Sequence, residues 1–262
     1  MYLSACLKRS GHEADCFIAA EEKDLIKAVG DYAPDIIGFT VISGMHRWCI
    51  ETGRKLKAED NLIVFGGPHP TFFPEVIHEE GVDIICVGEG ERAVVELADR
   101  FPDMEEISKT RNLHVRIKGS VVRNEVRELV GDLDDLPFPD REVFYKYRAL
   151  RVNSRKTVIT SRGCPYSCTF CFNSSYRRLY ANKGKYVRSR STDNVVDEIL
   201  EIRQRYPMES VFFQDDTFIL HRDWLLGFLK DYNRRVSLPF TCLVRADLVT
   251  EEIVKALAEA SA

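Results

Sequence analysis

The sequence contains no apolar run approaching the length of about 20 residues that a membrane-spanning helix requires. Its first residues, MYLSACLKRSG, also lack the basic region and long apolar stretch of a secretory signal peptide. The chain has no cysteine-rich framework, since five of its eight cysteines stand alone in apolar or helical surroundings: Cys6, Cys16, Cys49, Cys86 and Cys242. Isolated cysteines of this kind are usually buried packing residues. Because a chain of 262 residues needs no disulfide framework, we expect a reducing, cytoplasmic location.

Motifs for nucleotide phosphates are absent or unconvincing. No G-x-x-x-x-G-K-[ST] sequence occurs, which excludes a P-loop. The segment GEGERA, residues 88–93, fits the G-x-G-x-x-A fingerprint of dinucleotide-binding domains. However, Glu89 and Glu91 would direct negative charge at a pyrophosphate, and no second βα half follows. We therefore expect no NAD site here.

The net charge of −4 conceals an uneven distribution. Residues 141–190 contain 13 Lys and Arg against a single acidic residue, Glu142. Such a block is compatible with nucleic-acid binding, with a solvated surface, or with a site for small anions. Because three clustered cysteines lie inside the block, we favour the site for small anions.

Residues 1–105 alternate helix-like and strand-like segments. The predicted strands lie in EADCFIA, PDIIGFTVIS, NLIVFGGPHP and VDIICVGEGE, and helices are predicted near residues 46–59 and 72–80. Apolar strands between helices predict a parallel, doubly wound α/β sheet of the flavodoxin-like or Rossmann-like type. Ligands bind at the carboxyl ends of such strands. Since the sequence opens in a helix, we expect the first strand of this domain to be missing and the chain to be a fragment.

Two further regions follow. Residues 106–152 are predicted as a hairpin around Lys118-Gly119 and a Pro-broken acidic linker, GDLDDLPFPD. Residues 153–262 resume the βα pattern, with strands in KTVITS, SVFFQDD and FTCLVR and a helix beginning near Thr250. Three βα units cannot close a barrel, so we expect a partial (β/α) barrel that is truncated at its C-terminus.

The clustered cysteines are Cys164, Cys168 and Cys171, in SRGCPYSCTFCFN, on the loop between a predicted strand and a predicted helix. Structural zinc takes four ligands, and no fourth Cys or His lies within 40 residues on either side. Three thiolates suit a [4Fe–4S] cluster that leaves one iron open for another ligand. Neighbouring Arg and Lys residues would favour the ionised thiols. A zinc site remains the alternative.

The C-x-x-x-C-x-x-C spacing, with Phe170 before the last cysteine, resembles the motif of the radical SAM superfamily. The resemblance implies a complete or partial (β/α) barrel in which Cys164, Cys168 and Cys171 bind three irons. S-adenosylmethionine (SAM) would chelate the fourth iron, with Phe170 beside its adenine. Reductive cleavage of SAM would yield a 5′-deoxyadenosyl radical that abstracts hydrogen from an unactivated carbon.

The same resemblance assigns two later segments to SAM. Gln214, Asp215 and Asp216 follow the second predicted barrel strand, where carboxylates would bind the ammonium group of SAM. Capping of the next helix is the alternative role for the two aspartates. Arg245 follows the third strand, where it would reach the carboxylate or the ribose of SAM.

The first domain resembles the cobalamin-binding domain of cobalamin-dependent radical SAM enzymes, through GGPHPT, VDIICVGEGE and LDDLPFP. That resemblance implies cobalamin contacts from three loops: Thr40, Val41, Ser43 and Gly44; Gly66, Gly67, Pro68 and His69; and Gly88, Glu89, Gly90 and Glu91. The Asp-x-His-x-x-Gly motif that supplies a cobalt ligand in cobalamin methyltransferases is not found. We expect His46 and His69 to make hydrogen bonds within their loops rather than to bind metal.

Taken together, the resemblances imply a cobalamin-dependent radical SAM enzyme, most simply one that methylates an unactivated carbon or phosphorus. An oxidative cyclase of the porphyrin-modifying type would use the same cofactors. A non-catalytic iron–sulfur or corrinoid sensor or carrier is an alternative of another class, and a zinc-bound nucleic-acid module is the least favoured. The expected partners are a small-molecule substrate, with an anionic one among the alternatives, and an electron donor such as flavodoxin or ferredoxin.

Overall fold

The structure is a computed structural model that describes residues 1–260, and it divides into two compact units. The first unit comprises Met1–Glu128 with Pro139–Val143, and the second comprises residues 129–138 with 144–260. Within these described residues, the helices are all too short or too polar to cross a membrane.

The first unit is built on a five-stranded sheet in the order β1-β2-β3-β4-β5. Its strands are β1 (Ile36–Thr40), β2 (Leu62–Gly66), β3 (Ile84–Cys86), β4 (Leu113–Ile117) and β5 (Ser120–Arg123). Its helices are α1 (Tyr2–Arg9), α2 (Leu25–Tyr32), α3 (His46–Leu56), α4 (Pro68–Phe72), α5 (Glu91–Arg100) and α6 (Met104–Ile107), with 3₁₀ turns at Ser43–Met45 and Pro74–His78. Strands β1, β2 and β3 are parallel, as expected for apolar strands that are covered on both faces.

Two sequence predictions in this unit are wrong. The segment EADCFIA forms no strand, and none of residues 13–19 is buried, so it is not a covered central strand. The helix predicted near residues 72–80 is instead the short α4 and a separate 3₁₀ turn that begins at Pro74. Proline lacks the N–H that a continuing helix would use. Helix α4 therefore ends before Pro74, and the 3₁₀ turn begins there.

The hairpin around Lys118 extends the first sheet rather than joining two domains. Strand β4 pairs antiparallel with both β3 and β5, with Ile84 opposite Val115. Lys118 and Gly119 form its two-residue turn, and both have positive φ, as this type of tight turn requires. The structural boundary of the first unit therefore lies near residue 128, beyond the predicted one at 105.

The second unit contains a three-stranded parallel sheet and a small two-stranded one. The parallel strands, in the order β10-β9-β6, are β6 (Arg155–Val158), β9 (Ser210–Phe213) and β10 (Phe240–Cys242), while β7 (Ser161–Arg162) pairs antiparallel with β8 (Arg188–Ser189). The helices are α8 (Arg148–Val152), α9 (Asn173–Leu179), α10 (Thr192–Arg205), α11 (Arg222–Arg235) and α12 (Glu251–Glu259), with 3₁₀ turns at Leu133–Asp135 and Ala246–Leu248; α7 (Glu142–Tyr145) lies where the chain leaves the first unit. The mixed α/β architecture agrees with the predicted fold class.

The core of the second unit fixes the strand ends that carry the predicted site. Phe213, at the end of β9, stacks on Phe218 and meets Phe228 edge to face. At the start of α12, the Thr250 side chain accepts a hydrogen bond from the Ile253 N–H, as predicted. The segments after β6, β9 and β10 therefore leave a rigid sheet at its carboxyl edge.

Residues 131–138 of the predicted linker belong to the second unit, whereas Pro139 and Asp140 belong to the first. Leu129 N donates to Lys183 O at 3.0 Å, and Arg188 donates to Val130 O at 2.6 Å. The carboxylate of Asp134 accepts a hydrogen bond from Ser191 N at 3.1 Å, just before α10. Residues 129–138 are thus tied to the elements around the cysteine loop.

Candidate functional site

The three clustered cysteines lie on the loop that joins β7 to α9, and all three side chains are partly exposed free thiols. Cys171 N donates to Cys168 O at 3.1 Å, which folds the C-terminal half of the loop into a turn. Among residues 1–260, no three Cys, His, Asp or Glu side chains converge closely enough to share one metal ion. The ligands of a [4Fe–4S] cluster need not converge in this way, because each thiolate binds a different iron.

A glycine shapes the entry to the cysteine loop. Gly163 has a φ of 87°, and a Cβ at this position would lie 2.4 Å from the backbone oxygen of Tyr186. That approach is far too close for any side chain, so glycine alone fits between β7 and β8. On the other side of the loop, Arg177 donates to Ser167 Oγ at 2.7 Å and to Pro165 O.

We expect Gly163→Ala to lower the free energy of unfolding by about 2 kcal/mol, because it combines a strained φ with a backbone clash. Gly227→Ala is the matched control, since Gly227 lies on the exposed face of α11 with nothing near its Cβ position. That change should raise the free energy of unfolding by about 0.5–1 kcal/mol. Chemical denaturation of the two variants checks both signs, and equal stability of Gly163→Ala and the wild type would contradict the loop geometry.

Each cysteine sulfur lies near a polar side chain of the described residues: Asn173, Arg245 or Thr217. Asn173 Nδ2 donates to Cys171 Sγ at 3.5 Å, and Arg245 Nη1 donates to Cys168 Sγ at 3.6 Å. Cys164 Sγ lies 4.0 Å from Thr217 Oγ1. Asn173 and Arg245 thus place donors beside two of the three sulfurs, as suits a site for anionic thiolates.

Arg245 is held against the cysteine loop on two sides. Its guanidinium carbon lies 3.6 Å from the centre of the Tyr166 ring, and its Nε and Nη2 bond to the Asp247 carboxylate at 3.0 and 2.9 Å. The hydrogen bond from Arg245 lowers the pKa of Asp247, which therefore stays ionised. From the sequence, Arg245 was expected to bind the carboxylate or the ribose of SAM. The structure places its guanidinium beside Cys168.

Tyr186, which sequence reasoning missed, links Asn173 to the acidic end of β9. Its hydroxyl donates to Asn173 Oδ1 at 2.7 Å. Burial raises the pKa of the Tyr186 phenol, and the negative charges of Asp216, Cys164 and Cys171 raise it further. The segment that carries Asp216 also reaches the cysteine loop directly, because the adjacent Thr217 Oγ1 lies 4.0 Å from Cys164 Sγ.

The acidic segment after β9 separates into one buried and two exposed side chains. Asp215 is only 1% exposed and accepts hydrogen bonds from Thr160 N at 3.0 Å, from Thr160 Oγ1 at 2.9 Å and from Ser161 Oγ. Burial raises the pKa of Asp215, and the hydrogen bonds from Ser161 and Thr160 oppose that rise. Gln214 and Asp216 are exposed. Neither aspartate caps α11, whose N-cap residue is His221.

Phe170 is 92% exposed, and the neighbouring Phe172 is half exposed. An aromatic ring of this size is rarely left so open to solvent when it has a packing role. The position of Phe170 on the cysteine loop is therefore suited to stacking against a flat ligand.

The loops predicted to bind cobalamin meet at the carboxyl edge of the first sheet. Val41 N donates to Gly66 O at 2.8 Å, and His69 N donates to Val41 O at 2.9 Å. Gly67 has a φ of 94°, and its missing side chain lets the two loops approach. The side chains of Val41 and Glu91 are buried, whereas Thr40, Ser43 and Gly44 are exposed and Gly66, Gly67, Pro68, Gly88, Glu89 and Gly90 are half-buried.

A threonine that sequence reasoning did not select joins two of these loops. Thr71 Oγ1 donates to Gly67 O at 2.8 Å and accepts from Gly88 N at 3.1 Å. Gly88 itself has a φ of 83°, so its N–H is presented in a conformation that favours glycine. The loops after β2 and β3 are thus fixed relative to each other before any ligand binds.

His46 and His69 form a stacked aromatic column with Phe73. The imidazole centres lie 4.4 Å apart, and His69 and Phe73 are separated by 5.2 Å. His69 Nδ1 contacts Ser43 Oγ at 3.1 Å, and His46 Nδ1 contacts Ser43 O. Burial lowers the pKa of His69, and so does the neighbouring His46, which favours the neutral ring. His46 makes the predicted hydrogen bond within its own loop, whereas the contact of His69 joins its loop to the loop after β1.

Four large apolar side chains in the segments after β1 and β2 are exposed, and sequence reasoning missed them as well. They are Ile42, Met45, Trp48 and Phe73. Several exposed apolar side chains next to glycine-containing loops are typical of a surface that covers a flat, largely apolar ligand. The feature of the sequence that could have revealed them is the apolar content of a segment that directly follows a predicted strand. These residues fit the corrin ring of a cobalamin, as the cysteine loop and its donors fit an iron–sulfur cluster.

The basic block at residues 141–190 is partly structural. Lys156 is buried, donates to Arg151 O at 2.9 Å and lies 4.2 Å from the centre of the Tyr145 ring. Arg190 forms a buried ion pair with Glu198. These buried cations take no part in a nucleic-acid or anion-binding surface, so the charge count overstated the exposed positive charge.

Two protein-family models match the chain. Residues 1–98 match the B12 binding domain, and residues 158–262 match the radical SAM superfamily.

Curated relatives extend over both matched regions. An uncharacterized methyltransferase of Pyrococcus horikoshii, PH0819, is 30% identical over 90% of this chain and 51% of its own length. The cytidylyl-2-hydroxyethylphosphonate methyltransferase of Streptomyces wedmorensis is 27% identical over 92% of this chain and 51% of its own length. The anaerobic magnesium-protoporphyrin IX monomethyl ester cyclase of Rubrivivax gelatinosus is 28% identical over 89% of this chain and 44% of its own length. The chain thus spans about half the length of the curated relatives it matches.

A solved structure shares the fold over the whole chain. The cobalamin-dependent S-adenosylmethionine radical enzyme OxsB, with aqua-cobalamin and S-adenosylmethionine bound, superposes with a TM-score of 0.76. Its sequence is 23% identical, and the match covers 100% of this chain and 39% of that chain.

Proposed function

The chain belongs to the radical SAM superfamily and carries a B12 binding domain ahead of its radical SAM domain, and from this premise we propose that it acts as a cobalamin-dependent radical SAM methyltransferase. The two family matches confirm the resemblance that the cysteine motif and the glycine-containing loops indicated. The proposed substrate is a small molecule that is methylated at an unactivated carbon or at phosphorus. The proposed source of electrons is a one-electron protein donor such as flavodoxin or ferredoxin.

The cysteine loop carries this proposal. Three partly exposed thiols follow β7 on one short loop, and donors from Asn173 and Arg245 reach two of the sulfurs. This arrangement supports Cys164, Cys168 and Cys171 as the ligands of three irons, with the fourth iron left for SAM. When bound, the cluster supplies the electron that cleaves SAM to methionine and a 5′-deoxyadenosyl radical, and the cobalamin supplies a methyl group.

The residues around the loop have separate roles in holding SAM. We assign its ammonium group to Asp216 and Gln214, because both side chains are exposed in the segment after β9 whereas Asp215 is buried. Asp215 instead holds the turn between β6 and β7, through Thr160 and Ser161. Phe170 would stack on the adenine. Arg245 would bind the carboxylate or the ribose.

The proposed cobalamin site lies at the carboxyl edge of the first sheet. Thr40, Ser43 and Gly44 present an exposed loop, and the segments at residues 66–69 and 88–90 provide closely spaced backbone groups. Exposed Met45 and Trp48 give the corrin an apolar surface. The stacked histidines stay in their hydrogen-bonded loop roles.

A cytoplasmic location completes the proposal. All eight cysteines of the chain are free thiols, and a reducing compartment keeps them so.

The nucleoside products formed from SAM distinguish methyl transfer from oxidative cyclisation. We expect the reconstituted chain, given cobalamin, a low-potential reductant and excess SAM, to form S-adenosylhomocysteine as well as 5′-deoxyadenosine. S-adenosylhomocysteine is the product left when SAM gives its methyl group to reduced cobalamin. Liquid chromatography with mass spectrometry measures both products.

The cobalamin-free chain is the control, and it should form only 5′-deoxyadenosine. A cyclase, supported by the Rubrivivax relative, would form 5′-deoxyadenosine without cobalamin-dependent S-adenosylhomocysteine. A sensor or carrier would form neither product, and that result would contradict the proposed function.

A further inference from the structure

We propose that Asn173 and Arg245 are positioning residues that raise the reduction potential of the cluster, by donating hydrogen bonds to the thiolates of Cys171 and Cys168. Tyr186 holds the Asn173 amide in the orientation that makes this possible. The inference rests on the proposed cluster. It assigns to these three side chains, none of which binds iron, the role of tuning the reduction potential of the cluster.

The Asn173 amide has one orientation that satisfies all its neighbours. Asn173 is buried at the first residue of α9, with Nδ2 3.5 Å from Cys171 Sγ and Oδ1 2.7 Å from the Tyr186 hydroxyl. The phenol has a single proton, and its contact with Oδ1 is shorter than the 3.3 Å contact with the backbone oxygen of Asn173, so that proton is donated to Oδ1. A flipped amide would turn its oxygen toward a negatively charged thiolate. The phenol and the sulfur together therefore direct the NH₂ group at the sulfur.

Arg245 reaches the second sulfur from a different segment. Its Nη1 lies 3.6 Å from Cys168 Sγ, while Asp247 binds the opposite edge of the guanidinium and Tyr166 covers one face. Both neighbours fix the guanidinium in place, so the hydrogen bond to sulfur costs little conformational entropy.

Within residues 1–260, the contact at Cys164 Sγ is a longer one, to Thr217 Oγ1 at 4.0 Å. Thr217 donates its hydroxyl proton to Asp216 O at 2.7 Å, which leaves only the oxygen toward the sulfur. Two of the three thiolates are thus stabilised by donors, and one of those donors carries a full positive charge.

The effect on the potential follows from charge. The reduced cluster carries one more negative charge than the oxidised cluster, so donors to its sulfurs stabilise the reduced form. Loss of either donor should move the potential to a more negative value. The shift should be larger for Arg245, because its loss also removes a positive charge.

The test is a redox titration of the anaerobically reconstituted chain without SAM, followed by the EPR signal of the reduced cluster. The variants are Asn173→Leu, Tyr186→Phe and Arg245→Met. Arg178→Met is the matched control, because Arg178 also lies on α9 but is exposed and donates to Ser175 Oγ. We expect negative shifts in the order Arg245→Met, Asn173→Leu, Tyr186→Phe, and the wild-type potential in Arg178→Met.

The outcomes separate the two proposals. Wild-type potentials in Arg245→Met and Tyr186→Phe overturn the inference and leave the proposed cluster intact. A wild-type chain that takes up no iron contradicts the proposed function instead. If Asn173→Leu assembles no cluster, Tyr186→Phe decides, since it frees the amide without removing it and a purely structural role would leave its potential unchanged.

Discussion

Replacing any one of Cys164, Cys168 and Cys171 by serine should abolish the cluster. We expect iron in the reconstituted chain to fall from about four atoms to near background, together with acid-labile sulfide, because three thiolates are the minimum protein ligand set for a [4Fe–4S] centre with one open iron. Formation of 5′-deoxyadenosine should fall below detection in the same variants. Colorimetric iron and sulfide assays with chromatographic product analysis measure the effect.

Cys242→Ser is the matched control for the cysteine variants. Cys242 is a partly buried free thiol of the same unit, at the end of β10. Burial raises the pKa of Cys242 to about 11, so its sulfur stays protonated at neutral pH and is a poor metal ligand. Full iron content in Cys242→Ser is expected. Iron retained by all three motif variants would contradict the assignment of the ligands.

Asp215→Ala should lower the free energy of unfolding by about 3 kcal/mol, which makes it the most destabilising change expected around the site. The Asp215 carboxylate is buried and accepts from the backbone and hydroxyl of Thr160 and from the hydroxyl of Ser161. Alanine would leave these buried donors unsatisfied. Chemical denaturation measures the loss.

Two conservative variants separate the structural aspartate, Asp215, from Asp216, the aspartate proposed to bind SAM. In Asp215→Asn the amide oxygen can keep the bonds that Oδ1 accepts, but the NH₂ group would face Thr160 N at the position of Oδ2, so stability should fall while SAM binding stays close to wild type. Asp216→Asn removes an exposed charge in the segment after β9, and we expect its Kd for SAM to rise at least about 10-fold. Isothermal titration with SAM measures both. A larger loss of SAM affinity in Asp215→Asn would show that the assignment is reversed.

The site was predictable to the extent that it is local in sequence. The spacing of Cys164, Cys168 and Cys171 on one loop indicated the cluster without any knowledge of the fold. The distinction between Asp215 and Asp216 also has a local signal, since the two-residue period of β9 continues through buried Phe213, exposed Gln214 and buried Asp215.

Features that depend on distant partners were not predictable. Arg190 can be buried because Glu198 on α10 neutralises its charge. Lys156 can be buried because its ammonium group lies over the Tyr145 ring and donates to Arg151 O near the end of α8. Asn173 acquires its orientation from Tyr186, thirteen residues away, and nothing in the motif indicates that pairing. Likewise, β4 pairs antiparallel with β3, but the alternation of apolar residues does not indicate which edge of the sheet the hairpin joins.

The most direct measurement is low-temperature EPR of the reduced, anaerobically reconstituted chain with cobalamin, recorded with and without SAM. We predict a [4Fe–4S]⁺ signal whose g-values change when SAM is added, beside a base-off cobalt(II) signal from bound cobalamin. A cluster signal that is indifferent to SAM, or zinc in place of iron, would contradict the proposal that this chain binds SAM on an open iron held by Cys164, Cys168 and Cys171.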